Sequence, residues 1–381
     1  MTKKKICFIA TLELSVKVFL TGHLRRLQEI YDTSVIVSTD NSEFLKSYGI
    51  STQVIPVEIE RNISLVRDLR SLFSVYSVLR RERFAIIHSI MPKSGLLSMV
   101  AGLFARVPVR VHTFTGQLWK NDTGLKRMIF KYIDKVIAAC ATNILVDSPS
   151  QREFIISEGV VSKKKSSVIG QGSICGVDME RFSLDEKARQ EIRREYGFGG
   201  DDVVFFFLGR MKRDKGILDL ARAFSLLCNS HSNARLLIVG PDEEDMIDGI
   251  REICAKHSGK VHILGFTDTP ERYLSAVDVL CLPSYREGFG QVIAEAAAVG
   301  IPSIGSRIYG ITDAIDDGVT GFLFEPSAHH EMMQKMKRFI EDPSLPKTMG
   351  QKARLNVAEK YTKEKVTAAM LAYYKKLEKS L

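Results

Sequence analysis

Hydrophobic positions occur along this chain in short continuous runs, and each run is followed by a longer stretch in which apolar residues recur at helical spacing. A short apolar run that is bounded by turn residues is typical of a strand buried on both faces. Strands that alternate with helices predict βαβ units, and therefore parallel sheets with right-handed crossovers.

The predicted strands form two series. The first series covers residues 6–10, 34–38, 53–56, 85–89, 109–113, 143–147 and 167–170. The second covers residues 203–208, 234–240, 261–265, 277–282, 302–306 and 321–324. Between them, residues 176–182 lead into a charged helix and a glycine-rich turn, which suits a hinge. We therefore predict one domain over residues 1–178 and a second over residues 179–361, followed by a helical stretch at 362–381.

Length and composition agree with two soluble α/β domains. The chain has 381 residues, of which 45% are hydrophobic and 26% are charged, and it has no low-complexity tract. Its six cysteines are scattered without paired spacing, which indicates reduced thiols in a cytoplasmic protein. The apolar run after Lys5 is too short for a signal peptide or a membrane span, so it predicts a first strand.

Positive charge is concentrated in the first half. Residues 1–190 contain 28 Lys and Arg against 18 Asp and Glu, a net +10, and the rest of the chain carries −1. This asymmetry suggests attraction to anionic lipid or another polyanion. A surface that serves only solubility remains an alternative.

Two carboxylates flank a glycine-rich turn after the predicted strand at residues 277–282. Glu287 lies in the turn, and Glu295 lies about two helical turns further on. The first N–H groups of a helix have no intrahelical partner, so an anion can bind at such a junction. We interpret the acids as separate hydrogen-bond acceptors for sugar hydroxyls; two solvated surface acids are the alternative.

A cationic loop follows the first strand of the second series. It contains Arg210 and Lys215 between Gly209 and Gly216, ahead of a helical run at residues 217–227. A guanidinium grips phosphate oxygens with two parallel donors, and an ammonium adds a point charge. Ligands of open α/β sheets bind at the carboxyl ends of strands, which favours a diphosphate here over a solvated charge run.

Taken together, the cationic loop, the acid pair with its lead-in at residues 284–290, and the stretch at 317–324 resemble the family 4 retaining glycosyltransferases of the GT-B fold. The resemblance covers nearly the whole chain. It implies an α/β protein of two Rossmann-like domains that face each other across a deep cleft. It also implies a nucleotide-sugar donor bound by the second domain, an acceptor bound by the first, and a terminal helix that returns to the first domain.

The resemblance assigns donor roles to several residues. Arg210 and Lys215 would hold the diphosphate and compensate the charge of the leaving group, so that neither a metal nor a cofactor is required. Glu287 would accept from donor-sugar hydroxyls, next to the backbone of Gly288, Phe289 and Gly290. Glu295 would bind the ribose, and Phe266 the base, which we expect to be uracil. His112 would hydrogen-bond the sugar or the leaving oxygen rather than act as a base.

The acceptor side resembles family members that extend polyprenyl-diphosphate-linked saccharides in bacterial O-antigen, capsule and related glycan assembly. By this likeness His88, Lys93, Thr115 and Gly116 would contact the acceptor, with Lys93 on its phosphate. A soluble small-molecule or protein acceptor remains open.

Two basic helices extend the membrane hypothesis. Residues 61–83 predict one amphipathic helix, whose apolar stripe we expect in the core; the stripe comprises Leu65, Leu69, Leu72, Tyr76 and Leu79. Residues 126–135 form a second basic and apolar segment. Both suit a protein that docks peripherally on the anionic inner face of the cell membrane, and both equally suit solvated helix faces.

Other functions fit less well. An epimerase would need catalytic acids in a different arrangement, and a phosphorylase would need a pyridoxal-binding lysine. A dinucleotide oxidoreductase would need a glycine fingerprint after the first strand, but residues 11–17 contain no glycine. That loop also departs from the Gly-Gly turn of many family members. A non-enzymatic polyanion-binding protein stays open, and we expect no nucleic-acid partner.

Overall fold

The apolar runs become strands whose two faces are both buried. In β1 (Lys5–Leu12), Cys7 and Ile9 pack into one layer of core while Ile6 and Phe8 pack into another. Helices cover both faces of the sheet, which explains why the strands are continuously apolar rather than alternating.

The computed structural model describes residues 3–60 and 64–379. The chain divides into two compact units, one of residues 1–176 with 363–381 and one of residues 177–362. The sequence predicts a domain boundary near residue 178 and a terminal segment, residues 362–381, that packs against the first domain.

The first unit is a parallel sheet with the strand order β3-β2-β1-β4-β5-β6-β7. After β1, its strands are β2 (Asp32–Ser38), β3 (Gln53–Pro56), β4 (Ile86–Ile90), β5 (Val109–Phe114), β6 (Asn143–Val146) and β7 (Ser166–Val168). Its helices are α1 (Glu13–Phe19), α2 (Thr21–Ile30), α3 (Leu65–Glu82), α4 (Pro92–Phe104), α5 (Gly124–Cys140) and α6 (Pro149–Ser157), joined at the end of the chain by α15 (Lys363–Glu378).

The second unit repeats the plan with the strand order β10-β9-β8-β11-β12-β13. Its strands are β8 (Val203–Leu208), β9 (Ala234–Val239), β10 (Val261–Leu264), β11 (Val279–Leu282), β12 (Ser303–Ser306) and β13 (Gly321–Phe324). Its helices are α7 (Glu186–Glu195), α8 (Ile217–Cys228), α9 (Met246–Ile253), α10 (Pro270–Ala276), α11 (Gln291–Val299), α12 (Ile311–Ala314), α13 (His329–Glu341) and α14 (Leu345–Lys360).

Strand order reverses once in each sheet, at β1 and β4 in the first unit and at β8 and β11 in the second. Loops leave opposite faces of the sheet on the two sides of such a point, so the carboxyl ends of these central strands frame a crevice. Every strand predicted from the sequence is present, with ends that differ by no more than two residues. The prediction of two Rossmann-like α/β domains is confirmed.

The interpretation of the apolar stripe on α3 as core is wrong for its first two turns. Leu65 is 80% exposed and Leu69 is also exposed, whereas Val75, Val78 and Leu79 are buried. The buried face lies further along the helix, where α3 packs against α4. Residues 61–63, which the prediction included in this helix, lie outside the described residues.

The described part of the chain contains no helix that is both long and apolar enough to cross a membrane. All six cysteines are free thiols, four of them buried.

Helix α15 is tied to the first sheet through a buried polar contact. The hydroxyl of Tyr374 bonds with Nδ1 of His88 at 2.5 Å, and Nε2 of His88 bonds with Oγ1 of Thr113 at 2.7 Å. Both aromatic side chains are buried, so water cannot replace a lost partner.

We expect Tyr374→Phe to lower the free energy of unfolding by about 1–3 kcal/mol, because it leaves Nδ1 of His88 unpaired in the core. The neighbouring Tyr373 is a matched control, since its buried hydroxyl has no hydrogen-bond partner among the described residues. Tyr373→Phe should therefore be neutral or slightly stabilising. Urea denaturation followed by circular dichroism measures both, and equal losses would contradict the assigned contact.

Candidate active site

The loops after β8 and β11 converge at the strand reversal of the second sheet. The chain leaves β8 through Gly209 and turns at Gly216, which has φ 65° and caps α8. A Cβ at Gly216 would lie 2.0 Å from the carbonyl oxygen of Pro283, so only glycine lets the first loop press onto the end of β11.

This close approach brings a cation and an acid together. Nζ of Lys215 lies 2.6 Å from Oε1 of Glu287, and the hydroxyl of Ser284 donates to the same oxygen at 2.8 Å. Both charged side chains are largely shielded from solvent, at 18% and 15% exposure, so their attraction is screened less than that of a surface pair. Lys215 and Glu287, separated by 72 residues in sequence, form one charged cluster.

Further contacts fix the two loops to each other. The guanidinium of Arg286 forms an ion pair with Asp214 at 2.8 Å, and the backbone N–H of Tyr285 donates to the carbonyl of Asp214 at 2.9 Å. The Tyr285 hydroxyl also donates to Asp219 on α8. The sequence analysis predicted no role for these residues or for Ser284. The sequence indicated only that the loop follows a buried strand directly, which is where ligands bind in such sheets.

Arg210 belongs to the same loop but faces a different neighbour. Its guanidinium lies 3.3 Å from Glu243, in the loop after β9, and Lys212 forms ion pairs with Glu243 and Glu244. A nearly half-exposed guanidinium held by one carboxylate keeps donors available for a second anion. The acids after β9 are a further part of the site that the sequence did not indicate.

The glycine-rich turn leads into α11. Gly290 caps this helix with φ 78°, and a Cβ at Gly310 would lie 2.6 Å from the carbonyl of Gly288, so the loop after β12 supports the turn from behind. The side chain of Phe289 is buried against Tyr361, with ring centroids 4.8 Å apart. Phe289 can therefore meet a ligand only through its backbone.

Glu295 has surroundings that differ from those of Glu287. Burial raises the pKa of the Glu295 carboxyl to about 7, while the charge of Arg181 and a hydrogen bond with Gln291 oppose the rise. Arg181 also donates to the carbonyl of Asp268 at 2.6 Å, in the loop that carries the exposed ring of Phe266. The two acids thus have separate partners.

In the first unit, His112 is enclosed. Its Nδ1 lies 2.8 Å from the hydroxyl of Ser89, and a Cβ at Gly95 of α4 would lie 2.4 Å from its ring. Nε2 finds no hydrogen-bond partner in the part of the chain that the structure describes. Burial lowers the pKa of His112 to about 3, so the imidazole is neutral near pH 7. It has one nitrogen left for a polar contact and no charge to offer.

The predicted acceptor residues follow β4 and β5. Lys93 lies in the first turn of α4 and pairs with Asp68 of α3 at 2.7 Å. Thr115 and Gly116 come directly after β5 at the same edge of the sheet. His88 instead lies inside the sheet with both ring nitrogens bonded to the protein. A role in acceptor binding stays a prediction for each of them.

Two family models match most of the chain. Residues 20–172 match the glycosyl transferase 4-like domain, and residues 188–356 match the glycosyl transferases group 1 model. The capsular polysaccharide biosynthesis glycosyltransferase CapM of Staphylococcus aureus is 28% identical over 98% of this chain and 97% of its own length. A UDP-Gal:alpha-D-GlcNAc-diphosphoundecaprenol alpha-1,3-galactosyltransferase of Escherichia coli is 28% identical over 75% of this chain and 74% of its own.

Solved structures show the same fold. Anabaena HepE, solved in complex with UDP and glucose, superposes with a TM-score of 0.81 at 18% identity over 98% of this chain and 99% of its own. Sucrose-phosphate synthase of Thermosynechococcus elongatus gives 0.81 at 20% identity, with full coverage of both chains. The chain therefore has the GT-B fold and combines a glycosyl transferase 4-like domain, over residues 20–172, with a glycosyl transferases group 1 domain, over residues 188–356.

Proposed function

We propose that this enzyme is a retaining glycosyltransferase that moves a hexose or N-acetylhexosamine from a UDP-sugar to a lipid-diphosphate-linked saccharide in bacterial surface-polysaccharide assembly. The relatives named above support the class of donor and acceptor, since one is described by its capsule pathway and another by a diphosphoundecaprenol acceptor.

The observation that carries the proposal is the cluster at the strand reversal of the second sheet. Lys215 and Glu287 meet there at 2.6 Å, next to the N-terminus of α11 and within the same loop system as Arg210. Cations and free N–H groups suit a diphosphate, and a carboxylate suits the hydroxyls of a sugar.

We assign the donor contacts on this basis. Arg210 and Lys215 hold the diphosphate, Glu287 accepts hydrogen bonds from the sugar hydroxyls, and Glu295 accepts from the ribose. The ring of Phe266 lies against the base. Glu287 is the counter-ion of Lys215 in this structure, so donor binding would give each of them a new partner.

The transfer step needs no covalent enzyme intermediate. The bond between the anomeric carbon and the diphosphate oxygen breaks, and its electron pair leaves with UDP. The acceptor hydroxyl oxygen bonds to the same face of that carbon, and its proton passes to the departing phosphate. The two cations stabilise the negative charge that develops on the leaving oxygen, so the proposal requires no metal.

The acceptor would lie on the first unit. Lys93, Thr115 and Gly116 stand at the carboxyl edge of its sheet, where the ammonium of Lys93 is suited to a phosphate. For the neutral His112 we propose a hydrogen bond from Nε2 to the donor sugar or to the leaving oxygen. His88 is proposed for the same acceptor side, although both of its ring nitrogens are bonded within the sheet. An enzyme with a lipid acceptor would act peripherally at the inner face of the cell membrane.

A donor screen tests the proposal. Purified enzyme is incubated with each UDP-sugar and a lipid-diphosphate-linked saccharide of short chain length, and mass spectrometry records the product. We expect one UDP-sugar to add one residue with retained anomeric configuration and to release UDP. Transfer to soluble sugars alone would favour a soluble acceptor, and binding of polyanions without transfer from any donor would favour a binding protein.

The raised pKa of Glu295 predicts pH-dependent donor binding. Its carboxyl titrates near pH 7 because of burial, and the charged form is the better acceptor for ribose hydroxyls. We expect the Kd for a UDP-sugar, measured without acceptor, to rise severalfold as the pH falls from about 8 to about 6. Glu295→Gln should bind weakly at both pH values; a wild-type pH profile in that variant would refute the role.

A further inference from the structure

Four large apolar side chains are exposed at the start of α3. Leu65 is 80% exposed, and Val66, Leu69 and Phe73 are each more than half exposed. The apolar residues of this helix are buried only in its second half, from Val75 onward. Apolar side chains that cluster in the open usually mark a surface that another molecule covers.

Helix α5 begins in the same way. Leu125 is 70% exposed, and Met128, Ile129 and Tyr132 are each at least half exposed. They share this helix with buried Ile137 and Ala138, so the exposed and the buried residues occupy different parts of it.

Both helices present these side chains at one end of the first unit. Each of α3, α4 and α5 follows a strand of the same parallel sheet, so their N-termini lie at its carboxyl edge. Helix α4 packs against both α3 and α5, and its first turn carries Lys93. The residue proposed for the acceptor phosphate thus stands between the two exposed apolar segments.

Charged side chains accompany the apolar ones, and cations exceed acids on α5. On α3, Arg67 and Arg70 line a pocket of about 600 Å³ together with two serines, Glu58 and Glu60, and Arg67 forms an ion pair with Glu60. On α5 the charged side chains are Lys126, Arg127, Lys131, Lys135 and Asp134. Asp134 is buried and accepts from the indole N–H of Trp119 at 2.7 Å. At the surface Asp122 pairs with Lys126, and Glu158 pairs with both Arg127 and Lys131, so the four cations of α5 exceed their two carboxylate partners.

We propose that the first turns of α3 and α5 insert their apolar side chains into the interface of a bilayer that contains anionic phospholipid. This α3–α5 apolar surface comprises Leu65, Val66, Leu69, Phe73, Leu125, Met128, Ile129 and Tyr132. The inference deepens the proposed function, because it names the surface that would present Lys93 to a lipid-linked acceptor.

A bilayer fits this surface better than a second copy of the chain. A symmetric dimer would bring the same cations of both copies together, and like charges repel. Anionic headgroups attract those cations instead, while the acyl boundary accepts the apolar side chains. We therefore expect membrane binding to have two components: an electrostatic attraction that salt screens, and an apolar insertion that salt does not weaken.

Vesicle sedimentation separates these components. We expect the protein to sediment with vesicles of phosphatidylcholine that contain about one quarter phosphatidylglycerol, and less with phosphatidylcholine alone. Raising NaCl from about 0.1 M to about 0.5 M should weaken binding without abolishing it. Complete release by salt would overturn the insertion and leave only charge attraction.

Paired substitutions test the residues. Leu65→Glu with Leu69→Glu, and separately Leu125→Glu with Ile129→Glu, should each lower the vesicle partition coefficient about tenfold or more, because apolar area stays in water. Leu355→Glu is the matched control: Leu355 is 72% exposed on α14 of the second unit and should bind as the wild type does. Circular dichroism and thermal unfolding verify that each variant is folded.

The outcomes also separate this inference from the proposed function. With a short-chain, water-soluble acceptor the folded variants should retain wild-type transfer, and with an acceptor in vesicles they should lose it. Wild-type vesicle binding by both double variants would overturn the inference. So would a wild-type dimer, detected by light scattering, that the same substitutions dissociate. If the wild-type protein transferred sugar from none of the UDP-sugars, the proposed function would be refuted, but the proposed membrane-binding surface would not.

Discussion

Glu287→Ala is expected to lower kcat/KM for sugar transfer by about a thousandfold while the protein stays folded. The substitution removes the acceptor assigned to the donor-sugar hydroxyls. It also leaves Lys215 without the carboxylate that lies 2.6 Å from its ammonium, and the hydroxyl of Ser284 without its acceptor. Steady-state kinetics with the donor found in the screen measures the loss.

The chain offers a matched control for this experiment. Glu341 of α13 forms an ion pair with Lys337 at 3.2 Å, outside the candidate site. Glu341→Ala should transfer sugar at the wild-type rate, since an exposed helical pair contributes little. Wild-type turnover in Glu287→Ala would refute its role, and equal losses in both variants would point to a general effect on the fold.

Lys215→Ala is expected to lower kcat about a hundredfold to a thousandfold, with a smaller change in KM. The ammonium compensates charge that grows on the leaving diphosphate, so its effect is larger in the transition state than in the bound donor. Lys337→Ala is the matched control and should leave kcat unchanged. A variant that changes only KM would show that Lys215 binds the donor without assisting departure.

The pair can be examined further with a double-mutant cycle. Lys215 and Glu287 share a contact, so their effects should not add. We expect the Lys215→Ala/Glu287→Ala double variant to be no more than about tenfold slower than the slower single variant. Fully additive losses would indicate that the two side chains act independently despite their 2.6 Å separation.

Much of the fold could be predicted from the sequence because its strands are short and buried on both faces. Such strands read as continuous apolar runs, and their alternation with helices leaves few topologies open. The run at residues 203–208 became β8 without any shift of its ends. Strand ends depend on where the neighbouring strand pairs: β11 begins two residues later than predicted, at Val279, where its pairing with β8 starts.

Only some residues of the candidate site could be predicted from the sequence. Glu287, Arg210 and Lys215 stood out because charged residues follow buried strands and precede helices. Ser284 and Asp214 did not, since a serine or an aspartate in a loop has no distinctive pattern. Their contacts depend on how far the loop after β8 presses onto β11, and that distance is set by Gly216 against Pro283.

By itself, then, the sequence determined the elements, the two α/β units and which loops carry charge, because these follow from local periodicity and from the position of a residue after a strand. The tertiary structure alone decided which residues meet. It paired Lys215 with Glu287 across 72 positions, enclosed His112 beneath Gly95, and left Leu65 and Leu69 in the open. Periodicity identifies the apolar face of a helix such as α3, but only the neighbouring helix determines how much of that face it covers.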